Sequence, residues 1–484
     1  MSPVSKIVND HCDIHPIAER KVKTNSDSGW VLYRGIRNLM RCDEAEVVSG
    51  IVRYVISKHR ALHFMAPLIE RTRGTLIPPF FAVLGWLRVF LCVRPASTGR
   101  TIWIARLSNE RRAIESFLDR APDLDWTELK YSNWPDAAGL IALIRLRRKR
   151  VGLRHILSIA RRLHRHHEFF KVLRVIELIG YYTRYLQVFA EHDFRLAVTS
   201  SHSNPHAIAF NLAARKNGVP IVLVTHGMPV RPVARLSFDL ALVHCKAARQ
   251  TYLSEGCSIN EVLIQGRKQH HVSMPTALPD SLSVGIFLCK DVNEDTFLRL
   301  VNLLRGQERV SRIVVRPHPK NLWTEFDTFI ASLKDPRLVK AVHDSVWNNL
   351  RDVDVVFGGN SSVLIDVVVA GRPAVYVPDL DYGSDDLHQL VSRGLVYRFV
   401  EPLLSGHRLI QFYQTPTWSE TLRLFADIDV DDEIIALRFC DSMRKLISYK
   451  NGRAVDGSDW MTIQAGSSFS DETSSLICPA CFRD

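Results

Sequence analysis

The sequence predicts an α/β fold with two Rossmann-like lobes facing a cleft, preceded by extra N-terminal helices. The chain has 484 residues, which is too long for one ordinary domain. Short apolar, β-rich runs alternate with helical patterns, which is typical of parallel sheets covered on both faces. This alternation stops at residues 268–281, a segment without periodicity that contains two prolines, and then starts again. We therefore expect two α/β units joined by a linker.

The composition indicates a folded protein. Hydrophobic residues make up 46% of the chain and charged residues 24%, which excludes global disorder and collagen-like classes. No apolar run is long enough to predict a spanning helix, and the first residues lack the pattern of a signal peptide. The nine cysteines are scattered and odd in number, which favours a reducing compartment over a disulfide framework.

The first predicted lobe covers residues 95–267, after an N-terminal helical and apolar extension over 1–94. A basic helical insertion is predicted at 140–190 within this lobe. The remaining pattern predicts strands at 101–107, 126–131, 195–199, 219–225, 238–244 and 261–265, and helices at 110–120, 205–217 and 246–255.

The second predicted lobe covers residues 282–412. Helices are predicted over 413–449, and a disordered tail over 450–484. The tail ends in a single C-P-A-C pair, which without a second pair of ligands does not predict a zinc site. In the lobe itself we expect strands at 283–289, 312–316, 354–357 and 374–377, and helices at 294–305, 322–333 and 361–370.

Positive charge is concentrated in one segment. The net charge is +12, and residues 145–174 contain eleven Lys or Arg against one acid, Glu168. An apolar stripe at helical spacing accompanies this charge. The segment is therefore either a solvated helix face or a surface that binds anionic lipid headgroups. A nucleic-acid-binding surface is the least favoured interpretation, because no recognition motif accompanies the charge. The broken apolar segment 75–93 is either a core element or a flap in a membrane interface.

Ligands of open α/β sheets bind at the carboxyl ends of the strands. His226 lies at such an end, within T-H-G, and its imidazole could accept a proton from a hydroxyl or donate to a phosphate. We therefore predict a catalytic role for His226. The alternative is that it merely caps a neighbouring loop.

A second strand end carries R-P-H-P-K. Its two prolines fix the backbone, so that Arg316, His318 and Lys320 are held as cationic groups suited to a diphosphate. A surface turn with an incidental histidine is the alternative.

The third strand end is G-G-N-S-S before an apolar helix. Gly359 would let a ligand approach, and the amides near Ser361 and Ser362 would attract an anion. A plain helix cap at these serines is compatible with that role. Asp366, one turn later, would reach a sugar hydroxyl or be a solvated helix residue.

The loop 199–206 supplies the predicted acceptor side through Ser201, His202 and His206, although this signal alone is weak. D-x-D pairs occur at 352–354, within a predicted strand, and at 379–381, after one. We expect neither to bind a metal, and we expect no metal and no cofactor in the site.

The order of these motifs resembles the capsule and teichoic-acid polymer transferases of the GT-B fold, including capsular Kdo transferases and CDP-glycerol glycerophosphotransferases. The matching segments are VTHGMP, VVRPHPK and GGNSSVLIDVVVAGRPAVYV, and the resemblance covers about residues 195–380. The chain departs from many relatives at 266–271, where it lacks G-x-P-x-x-D, and at Asp366, where relatives often carry Glu.

The resemblance implies a GT-B-type glycosyltransferase of capsule polysaccharide biosynthesis. His226 would be catalytic or contact phosphate, and Arg316, His318, Ser361 and Ser362 would bind the donor diphosphate. The implied partners are a nucleotide-sugar donor, a glycan or lipid-linked acceptor and an anionic membrane surface, with no nucleic acid. The implied location is cytoplasmic and peripheral, on the cytoplasmic face of a bacterial inner membrane. A nucleotide-sugar 2-epimerase and a non-catalytic glycan- or membrane-binding scaffold remain as alternatives.

Overall fold

The computed structural model describes Leu87 and residues 93–94, 99–131, 169–231, 233–266, 273–319, 323, 325–342, 345–381, 385–400, 406–426 and 431–452. Several predictions lie outside these residues: most of the N-terminal extension, the basic segment up to residue 168, Lys320, and the tail beyond residue 452.

The first lobe is built on a parallel six-stranded sheet in the spatial order β3-β2-β5-β6-β7-β8. A two-stranded antiparallel pair accompanies it, formed by β1 (Val93–Arg94) and β4 (Lys130–Tyr131). The strands of the large sheet are β2 (Thr101–Ile104), β3 (Trp126–Glu128), β5 (Leu196–Thr199), β6 (Ile221–Val224), β7 (Ser237–Val243) and β8 (Ser258–Ile264).

Helices cover both faces of this sheet, because successive residues of each buried strand point to opposite sides. The helices of the lobe are α1 (Ser108–Leu118), α2 (Phe169–Glu191), α3 (Pro205–Lys216) and α4 (Lys246–Ser254), with a 3₁₀ turn at Pro122–Leu124. The apolar face of α1 packs, with Phe117, on Val222 and Val224 of β6, while Leu223 belongs to the core on the other side.

The second lobe is a second parallel six-stranded sheet, in the order β11-β10-β9-β12-β13-β14. Its strands are β9 (Leu282–Phe287), β10 (Val310–Arg316), β11 (Leu338–Lys340), β12 (Val355–Gly358), β13 (Ala374–Tyr376) and β14 (Tyr397–Arg398). Its helices are α5 (Glu294–Arg305), α6 (Phe326–Ser332), α7 (Val346–Leu350), α8 (Val363–Val369) and α9 (Gly406–Tyr413). The fold class predicted from the sequence, α/β with two Rossmann-like lobes, is confirmed.

Two last helices, α10 (Pro416–Phe425) and α11 (Asp432–Gly452), follow the second lobe. Helix α11 returns to the first lobe, where Phe439, Cys440 and Met443 are buried. The ring centroids of Phe117 and Phe439 are 5.0 Å apart, so α1 and α11 share one face of the first sheet. This face is called the α1/α11 face below.

The lobes meet through the carboxyl ends of their sheets. Helix α4 begins directly after β7, and Arg393 of the second lobe donates to its Ala247 carbonyl at 3.2 Å and to Thr251 Oγ1 at 3.1 Å. The His388 imidazole contacts the backbone of Pro229, three residues after His226. Both strand-end edges therefore face the same interlobe region. Across the part of the chain that the structure covers, no helix is long and apolar enough to cross a membrane.

Candidate active site at the carboxyl edges of the two sheets

His226 lies two residues beyond the last residue of β6, where the chain bends. Its side chain lines a pocket together with residues of α1, on the face of the sheet to which Val222 and Val224 also point. Its Nδ1 lies 2.7 Å from the backbone oxygen of Ser200, and 3.1 Å from the Ser200 hydroxyl. A carbonyl oxygen can only accept, so Nδ1 carries the proton. In the neutral ring Nε2 is then an acceptor, which is the state that a general base requires.

A pocket of about 300 Å³ opens beside His226 on the α1/α11 face. Strand alternation accounts for two other residues that line this pocket. His244 lies two residues after Leu242, and Gln265 lies two residues after Leu263; both leucines face this side of the sheet. Neither residue is among the site residues predicted from the sequence, although the period of two along each strand was the signal that could have identified them. The residues that line the pocket are Asn109, Arg112, Ala113, Ser116, Phe117, Val224, Thr225, His226, His244 and Gln265.

The three predicted acceptor-side residues lie inside the first lobe. Ser201, His202 and His206 are 4%, 9% and 0% exposed. Ser201 Oγ accepts from Asn204 Nδ2 at 3.1 Å, and the His206 ring meets Tyr181 edge-on. These buried side chains therefore stabilise the loop through contacts inside the lobe. A direct contact between any of them and an acceptor stays a prediction.

His202 is buried close to His226. Its Nδ1 lies 2.8 Å from the Tyr252 hydroxyl, and the two rings meet edge-on at 5.0 Å. Burial and, to a smaller extent, the nearby imidazole of His226 lower the pKa of His202 to about 3. His202 is therefore neutral at physiological pH, and it supports the site without adding charge.

In the second lobe, sheet register brings two predicted motifs to the same level. Arg316 of β10 and Gly358 of β12 both pair with Phe287 of the intervening strand β9. Two strand spacings place their backbones about 10 Å apart. The Arg316 guanidinium carbon lies 5.8 Å from the centroid of the Phe287 ring, and His318 follows it as a partly buried residue. The R-P-H-P and G-G-N-S-S segments therefore leave the sheet at the same level, on either side of β9.

The loop after β12 is held by the carboxylate of Asp381, for which the sequence predicted no role. Asp381 is 8% exposed, accepts from the Asn360 backbone amide at 2.6 Å, and accepts from Asn360 Nδ2 at 3.1 Å. Asn360 Oδ1 in turn accepts from the Leu387 amide at 2.8 Å. A side chain at Gly359 would overlap the Asp381 carboxylate, so this position requires glycine. The D-x-D pair at 379–381 thus contributes Asp381 to loop structure.

The helix that follows this loop starts later than predicted. Helix α8 begins at Val363 and not at residue 361, because Ser361 lies in a turn whose amide donates to the Gly359 carbonyl at 2.8 Å. The Val363 amide meets Ser361 Oγ at 3.4 Å. Ser361, Ser362 and the helical residue Asp366 are partly buried, and their contacts with a donor stay predictions.

Metal-ligating side chains do not cluster in this region. Within the described ranges, no group of three or more His, Cys, Asp or Glu residues is arranged to hold a metal ion.

The comparisons with known proteins found similar chains among solved structures. No family model and no curated protein matches the sequence. Among solved structures, the wall teichoic acid polymerase TagF (a variant) is 11% identical, with 82% of this chain and 100% of that chain covered and a TM-score of 0.39. The UDP-GlcNAc 2-epimerase from Neisseria meningitidis is 11% identical, with coverage of 72% and 99% and a TM-score of 0.39. MurG from Acinetobacter baumannii is 11% identical, with coverage of 71% and 99% and a TM-score of 0.36.

Proposed function

We propose that the protein is a transferase that moves a sugar, or a glycerophosphate unit, from a nucleotide-activated donor to a cell-surface polysaccharide or lipid-linked acceptor. The observation that carries this proposal is the Nδ1 bond from His226 to the Ser200 carbonyl, at 2.7 Å. It fixes the ring with Nε2 as a proton acceptor, at a strand-end edge that borders a pocket. A histidine in this state is suited to activate a hydroxyl.

The proton and electron pairs balance in a single displacement. An acceptor hydroxyl gives its proton to His226 Nε2, and its oxygen forms a bond to the sugar carbon or to the phosphorus of the donor. The bond from that atom to the bridging phosphate oxygen breaks. Its electron pair leaves with the nucleotide, which is a nucleoside diphosphate when a sugar is transferred from a diphosphate donor and a nucleoside monophosphate when glycerophosphate is transferred. In both cases the leaving phosphate oxygen gains negative charge.

The second lobe is suited to bind that leaving group. Arg316 ends β10 at the level of Gly358, and His318 follows two residues later; cationic donors there would stabilise the charge that develops on the leaving phosphate. The glycines before Asn360 would allow close approach of the ligand backbone. We therefore propose a metal-independent transfer, with the basic segment 145–174 holding the protein at the cytoplasmic face of the inner membrane near its acceptor.

A nucleotide panel with matched arginine variants tests the proposal. CMP, CDP, UDP, GDP and their sugar derivatives are each added, and thermal unfolding is followed. A true donor at a hundredfold excess over Kd should stabilise by about 2.7 kcal/mol. Arg316→Ala should abolish this shift. Arg312→Ala should retain it, because Arg312 is an exposed arginine of the same strand, four residues before the edge.

Three outcomes would overturn the proposal. The first is that no nucleotide in the panel shifts unfolding. The second is that Arg316→Ala keeps the full shift. The third is that the protein converts its donor to a free, epimerised sugar without any acceptor, which would make it an epimerase.

A further inference from the structure

One arginine of the second lobe binds a helix of the first lobe at three points. Arg393 Nη1 lies 3.2 Å from both the Ala247 carbonyl oxygen and Gln250 Oε1, and its Nη2 lies 3.1 Å from Thr251 Oγ1. All three acceptors belong to α4. A guanidinium holds its donors in one rigid plane, so these bonds fix both the distance and the rotation of α4 relative to the second lobe.

Arg393 is itself held in place within the second lobe. Gln389 Oε1 accepts from Arg393 Nη2 at 3.0 Å and lies 3.3 Å from Thr251 Oγ1. Gln389 has a φ of 57°, a region that non-glycine residues occupy only where the surrounding structure holds them. The carboxylate of Asp386 accepts from two backbone amides of the same segment, at 3.1 and 2.7 Å. The segment therefore presents Arg393 from a fixed backbone.

Arg393 does not act as an ordinary ion-pair partner. Among the described residues it forms no salt bridge, and its acceptors are neutral carbonyl, amide and hydroxyl oxygens. The residue is half-buried, and burial lowers the pKa of its guanidinium. Burying a cation without a counter-charge costs free energy, whereas a planar fork of donors specifies one arrangement of its acceptors. The contact is therefore better suited to fix geometry than to add stability.

Helix α4 reaches the surroundings of His226 from both of its ends. Near its last turn, Tyr252 is fully buried, and its hydroxyl lies 2.8 Å from Nδ1 of His202, which is buried close to His226. At its first turn, Sγ of the N-cap residue Cys245 lies 3.4 Å from Sδ of Met228, two residues after His226. A displacement of α4 would therefore disturb the loop that carries His226.

We propose that Arg393 is a positioning residue for His226. It holds α4 against the second lobe, and α4 holds the loop in which His226 donates to the Ser200 carbonyl. A second contact supports the same loop, because the His388 imidazole lies against the backbone of Pro229. The inference rests on the proposed transferase function, and it adds that the base of the first lobe depends on a second-lobe residue that acts through α4.

The tautomer of His226 tests the inference without any measurement of turnover. In the full chain labelled with ¹⁵N-histidine, long-range ¹H–¹⁵N correlation spectra distinguish an Nδ1–H ring from an Nε2–H ring. The His226 signals are those that disappear in His226→Gln. We expect only the Nδ1–H form in the unmodified protein. Arg393→Met, which removes the donors and keeps much of the side-chain length, should show both forms. Arg312→Met should show only the Nδ1–H form, because Arg312 is an exposed arginine of β10.

Turnover and nucleotide affinity give a second readout. Arg393→Met should lower kcat about tenfold, which corresponds to about 1.4 kcal/mol, and leave nucleotide affinity unchanged. Unchanged affinity shows that the variant is folded, whereas a merely structural role in the second lobe would lower affinity together with kcat. Thr251→Val, which keeps the side-chain shape and removes the hydroxyl, should lower kcat more weakly. Because both substitutions break the same contact, the double variant should be no slower than Arg393→Met alone.

Three results would overturn the inference: a single Nδ1–H form with full kcat in Arg393→Met, a parallel loss of nucleotide affinity and kcat, or fully additive losses in the double variant. If Arg393→Met did not fold, the tautomer in Thr251→Val would decide in its place. Failure of the proposed function is separate. If no nucleotide bound the unmodified protein, the transferase proposal would fail, and the tautomer would still decide whether Arg393 positions His226.

Discussion

The carboxyl edges of the two sheets are built differently. In the first lobe, His226, His244 and Gln265 extend from neighbouring strands and border a pocket. In the second lobe, the loop after β12 is tied down by Asn360 and Asp381, through bonds of 2.6 and 3.1 Å. The first edge presents side chains to a ligand, and the second fixes a stretch of backbone. We infer that chemistry at the first edge depends on individual side chains, whereas ligand binding at the second depends on loop shape.

The largest expected effect tests the first half of this comparison. His226→Gln can still donate to the Ser200 carbonyl but cannot take a proton, so kcat should fall by about 10²–10⁴-fold. Nucleotide binding should stay unchanged, because the substitution lies in the other lobe. The measurement is steady-state turnover alongside nucleotide affinity.

An exposed histidine provides the control for this substitution. His407→Gln in α9 should leave both turnover and nucleotide affinity unchanged. If His226→Gln retained full turnover, His226 would be a loop-capping residue and the proposed mechanism would be wrong.

The second expected effect tests the second edge. Both carboxylate oxygens of Asp381 accept hydrogen bonds from Asn360, one from its backbone amide and one from its Nδ2. In Asp381→Asn an NH₂ group replaces one of these oxygens and must face one of the two donors, so that one hydrogen bond is lost. The variant should lose about 1–3 kcal/mol of stability and bind nucleotide more weakly. Urea denaturation and nucleotide titration measure the two effects.

The same D-x-D pair supplies a matched control. Asp379 is exposed and has a φ of 58°, which asparagine tolerates, so Asp379→Asn should change neither quantity. If Asp381→Asn behaved like Asp379→Asn, the loop would not depend on its carboxylate.

The same two edges show what could be predicted from the sequence. Buried parallel strands are short apolar runs, so most strands and the strand-end positions of His226 and Arg316 could be predicted from local patterns. The short strands β11 and β14 and the helices α7 and α9 were not predicted, because two to eight residues carry too little periodicity. The bond between Asn360 and Asp381 joins residues 21 apart, and no local pattern indicates it. Burial of His202 and His206 likewise depends on tertiary packing, which a polar loop sequence does not reveal.

The smallest expected effect concerns His202, which is buried close to His226 at the first edge. The pKa of His202 is lowered to about 3 by burial, against an ordinary value of 6.5. Below pH 6.5 the unfolded chain binds a proton that the folded protein does not, so stability is lost as the pH falls from about 6.5 toward 3. Between pH 7.5 and 5.5 this one group should cost about 1.4 kcal/mol.

His202→Gln should remove that loss, because glutamine does not titrate while it can still meet the Tyr252 hydroxyl. The measurement is the difference in urea-denaturation stability between pH 7.5 and 5.5, for the variant against the unmodified protein. Other histidines contribute equally to both and cancel. Tyr252→Phe should keep the full acid loss, since His202 remains buried when its partner hydroxyl is removed. If His202→Gln lost as much stability between pH 7.5 and 5.5 as the unmodified protein, His202 would be protonated in the folded protein. The conclusion that His202 is a neutral residue close to His226 would then be wrong.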